Sequence, residues 1–202
     1  NIGTLTDAWV DSMLKAGAKA TALSKPIILD PVGSGATALR TAAAKRIIEQ
    51  TRISVIRGNA SEVLSLQRDD TKTKGVDAIH SVEDAAGAAT ALSGQLDTTL
   101  AITGPIDLIT NGKQLIRVAN GHPLMGYVTG TGCTATVVIG AFLAVDPDPV
   151  SATATALAYF GLAGEIAGKS ADAPGSFWVQ LLDALYTITP QQLQAGCKID
   201  IG

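Results

Sequence analysis

The order of apolar segments along the chain is the feature that most constrains its fold. Short runs of aliphatic and β-branched residues alternate with longer runs that have helical spacing. The strand candidates are "PIILD" (Pro26–Asp30), "RISVIRG" (52–58), "TTLAITG" (98–104), "IDLIT" (106–110) and "QLIRVA" (114–119). Strands that alternate with helices pair into a mainly parallel sheet with helices on both faces. The sequence therefore predicts an α/β fold in three layers.

The helical segments follow from their capping residues and breaks. Thr6 is placed to cap a helix that runs to about Ala22, and a second helix is expected at about Ala38–Gln50. Further helices are predicted at "NASEVLSL" (59–66), capped by Asn59, and at "SVEDAAGAATALSG" (81–94). The last two strand candidates flank "NG" at 111–112, a strong hairpin signal. After residue 142 the chain is predicted to be helical nearly to its end, with breaks at "DPDP" (146–149) and "ADAPGS" (171–176).

Composition narrows the class of protein. The 202 residues suffice for one domain, and a net charge of −3 argues against a general nucleic-acid or anionic-membrane binder. The basic cluster at 71–77 is interpreted as a solvated loop. Two cysteines without metal-type spacing favour a reduced, cytoplasmic protein. The apolar stretch near Val137–Val145 is too short to span a bilayer, and no secretory signal opens the chain.

One stretch, "VTGTGCTATVVIGAF" (128–142), has the pattern of an anion-binding loop. Gly130 and Gly132 allow backbone conformations that a Cβ would obstruct. The apolar run that follows has helical length, so unpaired N–H groups and the positive end of the helix dipole would face the loop. With Thr131 and Cys133 completing the loop, we expect it to bind a phosphate.

Polar residues follow three strand candidates, where parallel sheets bind their ligands. Asp30 ends the first, residues 57–62 follow the second, and Thr103 follows the third. Asp30 and Glu62 are candidate Mg²⁺ ligands because that ion prefers carboxylates, often through water. The alternatives are a turn residue before Pro31 for Asp30 and a capping box with Asn59 for Glu62.

Two further residues have chemistry suited to phosphoryl transfer. The planar guanidinium of Arg57 suits a phosphate, although a surface ion pair is the alternative. Thr103 could bond a nucleotide phosphate or complete a turn. In the first helical turn the dipole favours the thiolate of Cys133, which could accept a proton from a substrate hydroxyl; the alternative is a small packing residue.

The remaining histidines and cysteine carry weaker signals. His122, in "NGHPL", could be a base but is more simply interpreted as a turn residue. His80 is expected at the surface, and Cys197 is expected to be structural or incidental.

Several motifs in order make the chain resemble the hydroxyethylthiazole kinases. They are "NIGTL", "LDPVGSGAT", "IRGNASE", "KGVD", "AITG", "NGHPL", "VTGTGC" and "APGSF", and together they cover essentially the whole chain. The resemblance implies a ribokinase-like three-layer fold and ATP-dependent phosphorylation of 4-methyl-5-(2-hydroxyethyl)thiazole in thiamin salvage and biosynthesis. It also implies Mg²⁺ and a homotrimer with active sites between subunits.

The resemblance assigns roles to individual residues. Arg57 and Thr103 match ATP-contacting positions, and we add Asn59 and Thr131 to that set. Gly130 matches a glycine beside the thiazole, and Cys133 occupies the catalytic position in the loop that includes Gly132. Asp30 and Glu62 match acidic residues associated with metal and phosphates. Most sugar kinases of the superfamily have an aspartate base where Cys133 stands, so we expect slow turnover.

Two departures and three alternatives accompany the resemblance. Pro105 stands where an acidic residue is usual, and the family has further strands and helices before "NIGTL". We therefore expect residues 1–202 to form a single kinase domain that lacks those N-terminal elements. The alternatives are a hydroxymethylpyrimidine or pyridoxal kinase, a hydrate-repair dehydratase, which would keep an aspartate in the glycine loop, and a non-catalytic nucleotide-binding remnant.

Overall fold

The structure, a computed structural model, describes residues 1–67 and 82–202. Within them the chain divides into two compact units. Unit 1 comprises Asn1–Gly104 with Leu108–Leu115, and unit 2 comprises Pro105–Asp107 with Ile116–Gly202. The expected single domain over 1–202 stays a prediction. The predictions for the basic cluster at 71–77, the "KGVD" motif and His80 lie outside the described residues.

The helices of unit 1 begin and end close to their predicted positions. They are α1 (Asp7–Ala22), α2 (Ala38–Gln50), α3 (Ala60–Leu64) and α4 (Val82–Leu96). The Thr6 side chain caps α1 by accepting a hydrogen bond from the Trp9 N–H at 3.2 Å. Val10 and Leu14 of α1 are buried, whereas Trp9 is exposed.

The strands of unit 1 form the predicted parallel arrangement with one antiparallel addition. They are β1 (Ile28–Leu29), β2 (Val55–Gly58), β3 (Thr99–Ile102) and β4 (Asp107–Thr110). β1, β2 and β3 pair in parallel, whereas β3 and β4 pair antiparallel. The sheet is therefore mixed, and its parallel part brings the carboxyl ends of three strands to one edge.

Strand β1 is shorter than the predicted Pro26–Asp30. The Ser54 side chain accepts a hydrogen bond from the Ile27 N–H, and the Ile27 carbonyl accepts from the N–H groups of Ser54 and Val55. Proline has no N–H to donate at the preceding position. The regular ladder therefore begins only at Ile28.

The core of unit 1 lies where the helices meet the sheet. Ile56 and Leu100 from the strands are fully buried, together with Leu92 of α4 and Val63 of α3. All four residues of β3 are buried, as expected of a strand covered on both faces. Their burial fixes the strand ends that carry the polar residues described below.

Unit 2 is mainly helical, as predicted for the chain after residue 142. Its elements are β5 (Leu115–Val118), a 3₁₀ helix (Pro123–Tyr127), α5 (Thr131–Leu143), α6 (Pro149–Gly168), α7 (Pro174–Thr187), α8 (Pro190–Gly196) and β6 (Ile199–Ile201). The breaks fall at the two predicted proline-containing stretches. The prediction missed β6, which pairs antiparallel with β5, because three residues are too few to show strand alternation.

Helix α6 forms the centre of unit 2. It packs against α5 and α7, and 13 of its residues are buried. Its length and apolar composition match a membrane span, yet 72% of its 18-residue apolar window is buried inside the protein. The core helix of a globular protein meets the same criteria of length and composition.

Candidate active site

Three of the predicted site residues meet at the end of the parallel strands in unit 1. Arg57 lies within β2, not after it, and directs its guanidinium to neighbours on both sides. One terminal nitrogen lies 3.4 Å from the Asp30 carboxylate, and the other donates to the Thr103 hydroxyl at 2.6 Å. The prediction from sequence that these residues lie close together is confirmed.

The pair formed by Asp30 and Arg57 is buried. The Asp30 side chain is 1% exposed and that of Arg57 is 13% exposed. The amide of Asn1 also donates to Asp30, at 3.1 Å. Arg57 therefore has a buried ionic partner instead of the surface ion pair considered from sequence, and the two charges hold each other in place.

Thr103 links β3 to this pair. Its hydroxyl accepts from Arg57 and donates to the Gly58 carbonyl at 3.3 Å, while its backbone N–H donates to the same carbonyl. Pro105, two residues later, is exposed and lies in a bend. The Nε atom of Arg57 is buried without a hydrogen-bond partner among the described residues, so the guanidinium keeps unused donor capacity.

Glu62 and Asn59 form the capping box that the sequence offered as an alternative to ligand binding. The Asn59 side chain accepts from the Glu62 N–H at 2.9 Å, and the Glu62 carboxylate accepts from the Asn59 N–H at 3.0 Å. The other carboxylate oxygen accepts from the Gly33 N–H at 2.9 Å. Glu62 thus ties the turn after β1 to the start of α3.

The chemistry of these carboxylates bears on the predicted metal. Within residues 1–67 and 82–202, no group of three or more His, Cys, Asp and Glu side chains could hold a metal ion. Mg²⁺ is commonly held by one or two carboxylates together with waters and substrate phosphates, so such a group is not required. Glu62, which is half-buried, fits this pattern. Asp30 fits it less well because the adjacent guanidinium opposes a second cation.

The glycine loop of unit 2 leads directly into helix α5, as predicted. Gly130 is the N-cap residue and has the left-handed conformation, with φ of +98°. A side chain is strained there although nothing lies within 4 Å of the position that a Cβ would take. No side chain caps the helix, so its first turn keeps the character of an anion site.

The residues after Gly130 form the first turn of α5. Thr131 opens the helix, and its hydroxyl donates to the carbonyls of Met125 and Val128 at 3.0 and 3.1 Å. Gly132 is helical, so the expectation that it needs a conformation obstructed by a Cβ was wrong. Cys133 is exposed, which contradicts the alternative of a buried packing residue and leaves its thiol accessible.

His122 and Cys197 take the structural roles that the sequence favoured. His122 caps the 3₁₀ helix by accepting a hydrogen bond from the Leu124 N–H, and its ring stacks on Phe177 at 5.5 Å. Cys197 is exposed at the end of α8, 3.6 Å from the Gln194 carbonyl.

A polar cluster in unit 2 was missed by the sequence analysis. One oxygen of Glu165 accepts from the Asn120 amide, the Gly121 N–H and the Lys198 ammonium at 2.9, 3.2 and 2.9 Å. Burial raises the pKa of Glu165. The hydrogen bonds and the charge of Lys198 lower it by more than burial raises it, so the pKa lies below its ordinary value. The available signal was that Glu165 is the sole charged residue of the apolar helix α6.

Comparison with solved structures identifies the fold. The pyridoxal kinase of Staphylococcus aureus, solved in complex with pyridoxal, matches with a TM-score of 0.64 at 20% identity, covering 100% of this chain and 69% of that chain. At that identity the likeness concerns the fold alone. The chain has the ribokinase-like α/β fold.

Sequence comparison identifies the family. Residues 1–191 match the sequence profile of the hydroxyethylthiazole kinase family. A protein named hydroxyethylthiazole kinase from Desulfotalea psychrophila is 63% identical over 199 residues, covering 98% of this chain and 73% of that protein. The structure of a hydroxyethylthiazole kinase protein from Pyrococcus horikoshii matches with a TM-score of 0.91 at 39% identity, covering 100% of this chain and 75% of that chain. The chain belongs to the hydroxyethylthiazole kinase family, which confirms the resemblance of its motifs, and it is a kinase.

Proposed function

We propose that this kinase transfers the γ-phosphoryl group of ATP to the hydroxyethyl oxygen of 4-methyl-5-(2-hydroxyethyl)thiazole, a step of thiamin salvage and biosynthesis. The observation that carries the proposal is the start of α5, where a left-handed Gly130 opens a helix whose first turn presents the exposed Cys133. A helix start of this kind stabilises an anion through its N–H groups and dipole. Family membership supplies the thiazole as acceptor.

The residues of unit 1 are assigned to ATP. Arg57 and Thr103 contact its phosphates, since the guanidinium retains donors beyond those used by Asp30 and Thr103. Asp30 orients Arg57 through their buried ion pair. Asn59 lies at the start of α3, where its side-chain oxygen holds the cap and its exposed NH2 group is available to donate to the nucleotide.

The metal is assigned to Glu62, with Asp30 as a more distant partner. The Glu62 carboxylate is half-buried and each of its oxygens accepts one described hydrogen bond, which leaves lone pairs for water or a cation. Bound Mg²⁺ would neutralise charge on the phosphate oxygens. Asp30 contributes through the field of its carboxylate, since Arg57 already occupies one side of it.

The residues of unit 2 are assigned to the acceptor and to the transferred group. The N–H groups of Gly130, Thr131, Gly132 and Cys133 stabilise negative charge at the start of α5. A new bond forms between the hydroxyethyl oxygen and the γ-phosphorus while the bond to the ADP oxygen breaks. The hydroxyl proton passes to the Cys133 sulfur, or late in the reaction to the phosphate, in which case alignment supplies most of the acceleration.

Assembly and location follow from the family resemblance. We propose a homotrimer in the cytoplasm, with ATP and the thiazole as its small-molecule partners. Light scattering coupled to size-exclusion chromatography tests the assembly, because a monomeric mass at micromolar concentration contradicts a stable trimer.

The function is tested by measuring ATP-to-ADP turnover with the hydroxyethylthiazole, hydroxymethylpyrimidine and pyridoxal supplied separately. We expect ADP formation to depend on the thiazole, and we expect Cys133→Ala to lower kcat by about 10²–10⁴-fold if the thiol acts as base. Cys197→Ala is the matched control, since this cysteine is also exposed but lies at the end of α8.

Each possible outcome of this experiment supports or excludes one alternative function. Turnover that depends on pyridoxal or the pyrimidine would replace the thiazole by another acceptor. ATP binding without turnover on any alcohol would favour a non-catalytic nucleotide-binding protein. Thiazole-dependent turnover that survives Cys133→Ala would retain the kinase and assign its acceleration to alignment and the helix start.

A further inference from the structure

One face of α6 consists of glycines that are in contact with a single preceding segment. A Cβ at Gly161 would lie 2.6 Å from the Asn120 backbone, and a Cβ at Gly164 would lie 2.6 Å from the Met125 sulfur. A Cβ at Gly168 would overlap the His122 ring. Positions three and four apart share a helix face. Residues 120–125 therefore lie directly on this face, which we call the glycine face.

Glu165 lies on the same side of α6, four residues after Gly161. Its carboxylate accepts hydrogen bonds from the side chain of Asn120 and the backbone of Gly121. Asn120 in turn donates to the Gly196 carbonyl and accepts from the Lys198 N–H. Asn120 is 5% exposed, so its amide group is fully committed to this cluster.

The segment held on the glycine face leads to the start of α5. The Met125 carbonyl accepts a hydrogen bond from the Thr131 hydroxyl, and Thr131 is the first residue of α5. Glu165 holds Asn120, and the chain continues from Asn120 to Met125, which contacts the turn that carries Cys133. A shift of Met125 would therefore move the first turn of α5.

We propose that Glu165 and the glycine face of α6 are positioning elements for the reaction: they fix residues 120–125 and thereby the first turn of α5 with Cys133. The expected effect on catalysis rests on the proposed function of that turn. The placement of the turn does not depend on the proposed function, so placement and catalysis can be tested separately.

The experiment uses Glu165→Ala and Gly161→Ala, whose added methyl group would overlap the Asn120 backbone, together with Cys197→Ser, so that Cys133 is the sole cysteine of residues 1–202. Two readouts are compared: the rate of Cys133 alkylation by iodoacetamide, and kcat against KM for ATP and the thiazole. We expect alkylation to slow by at least about threefold, because the thiol is exposed in the present position of the turn and displacement reduces the access of the reagent to it. We expect kcat to fall roughly tenfold while each KM stays within about twofold.

Three controls separate positioning from loss of stability. Gly175→Ala adds a methyl group to another helical glycine of unit 2, where nothing lies within 4 Å of it. Leu92→Ala destabilises the core of unit 1 without touching the glycine face. Glu165→Gln keeps an acceptor oxygen for Asn120 and Gly121 and should restore most of the activity. None of the three should slow alkylation by more than about half.

The results distinguish the positioning of the first turn of α5 from its proposed role in catalysis. Unchanged alkylation and kcat in both Glu165→Ala and Gly161→Ala overturn the proposal, as does equal slowing of alkylation in Leu92→Ala. Slowed alkylation in a protein whose parent shows no thiazole-dependent turnover supports the positioning of the turn and removes the proposed function. Double-mutant cycles of Gly164→Ala with Met125→Ala should be non-additive, because the smaller side chain relieves the overlap.

Discussion

The two units prepare their candidate functional groups in different ways. In unit 1 the groups are charged side chains that already satisfy one another, as in the buried pair of Asp30 and Arg57. In unit 2 they are backbone N–H groups and an exposed thiol at a helix start. The first arrangement depends on a few partners, and loss of one partner leaves a buried charge. The second depends on the path of the chain, which many contacts maintain together.

The largest expected effect comes from breaking the buried pair. Arg57→Met leaves the Asp30 carboxylate at 1% exposure without its cationic partner, and we expect the free energy of unfolding to fall by about 3–5 kcal/mol. Urea denaturation measures the change. The matched control is Arg46→Ala, which removes an exposed pair with Asp11 and should cost about 1 kcal/mol or less. Equal costs for the two variants would contradict this difference between buried and exposed pairs.

The next effect concerns the backbone at the start of α5. Gly130→Ala forces a side chain into the left-handed conformation, at a cost of about 1–2 kcal/mol, although no atom obstructs the methyl group. Thermal unfolding of the variant and of Gly175→Ala measures it. Gly175 is helical and open, so its alanine variant should be neutral or more stable. A neutral Gly130→Ala would show that this turn does not require glycine.

A smaller effect separates capping from metal binding at Glu62. Glu62→Ala removes the capping box and the contact to Gly33, at a cost of about 1 kcal/mol in unfolding experiments. Glu62→Gln keeps the cap, since glutamine also serves at this position. If Glu62 holds Mg²⁺, the glutamine variant has nearly normal stability but needs more Mg²⁺ for half-maximal turnover. An unchanged Mg²⁺ requirement would leave only the capping role.

The smallest effect is the pH dependence contributed by Glu165. Because its pKa is lowered in the folded chain, its stabilising contribution is fully present above the unfolded pKa, near 4.5, and is lost as the pH falls through the lower folded pKa. The difference in unfolding free energy between the wild-type chain and Glu165→Gln should therefore shrink below about pH 4.5. A difference in unfolding free energy that grows on acidification would show that folding raises the pKa of Glu165 and would contradict the prediction.

Local patterns made part of the fold predictable. The caps at Thr6 and Asn59, the lengths of α1 and α2, and the proline breaks in unit 2 are all decided within a few residues of sequence. The grouping of Asp30, Arg57 and Thr103 was predictable for a different reason. Parallel strands place their carboxyl ends at one edge, so residues far apart in sequence are brought together by topology.

Other features depend on contacts that a linear pattern does not contain. Nothing adjacent to Glu165 in sequence indicates Asn120 or Lys198 as its partners. The helical state of Gly132 could not be separated from the left-handed state of Gly130, since glycine adopts both. The short strand β6 exists because β5 offers an edge, and its three residues carry no independent signal.

The apolar length of α6 has a consequence for how the chain folds. Before it is covered, this helix is a 20-residue aggregation-prone segment with one carboxylate. The helices that cover it, α5 and α7, are its immediate neighbours in sequence, so the loops that must close are short. Contacts between sequence neighbours form early in folding. We therefore expect unit 2 to bury this segment quickly, which limits the time in which a newly made chain can aggregate.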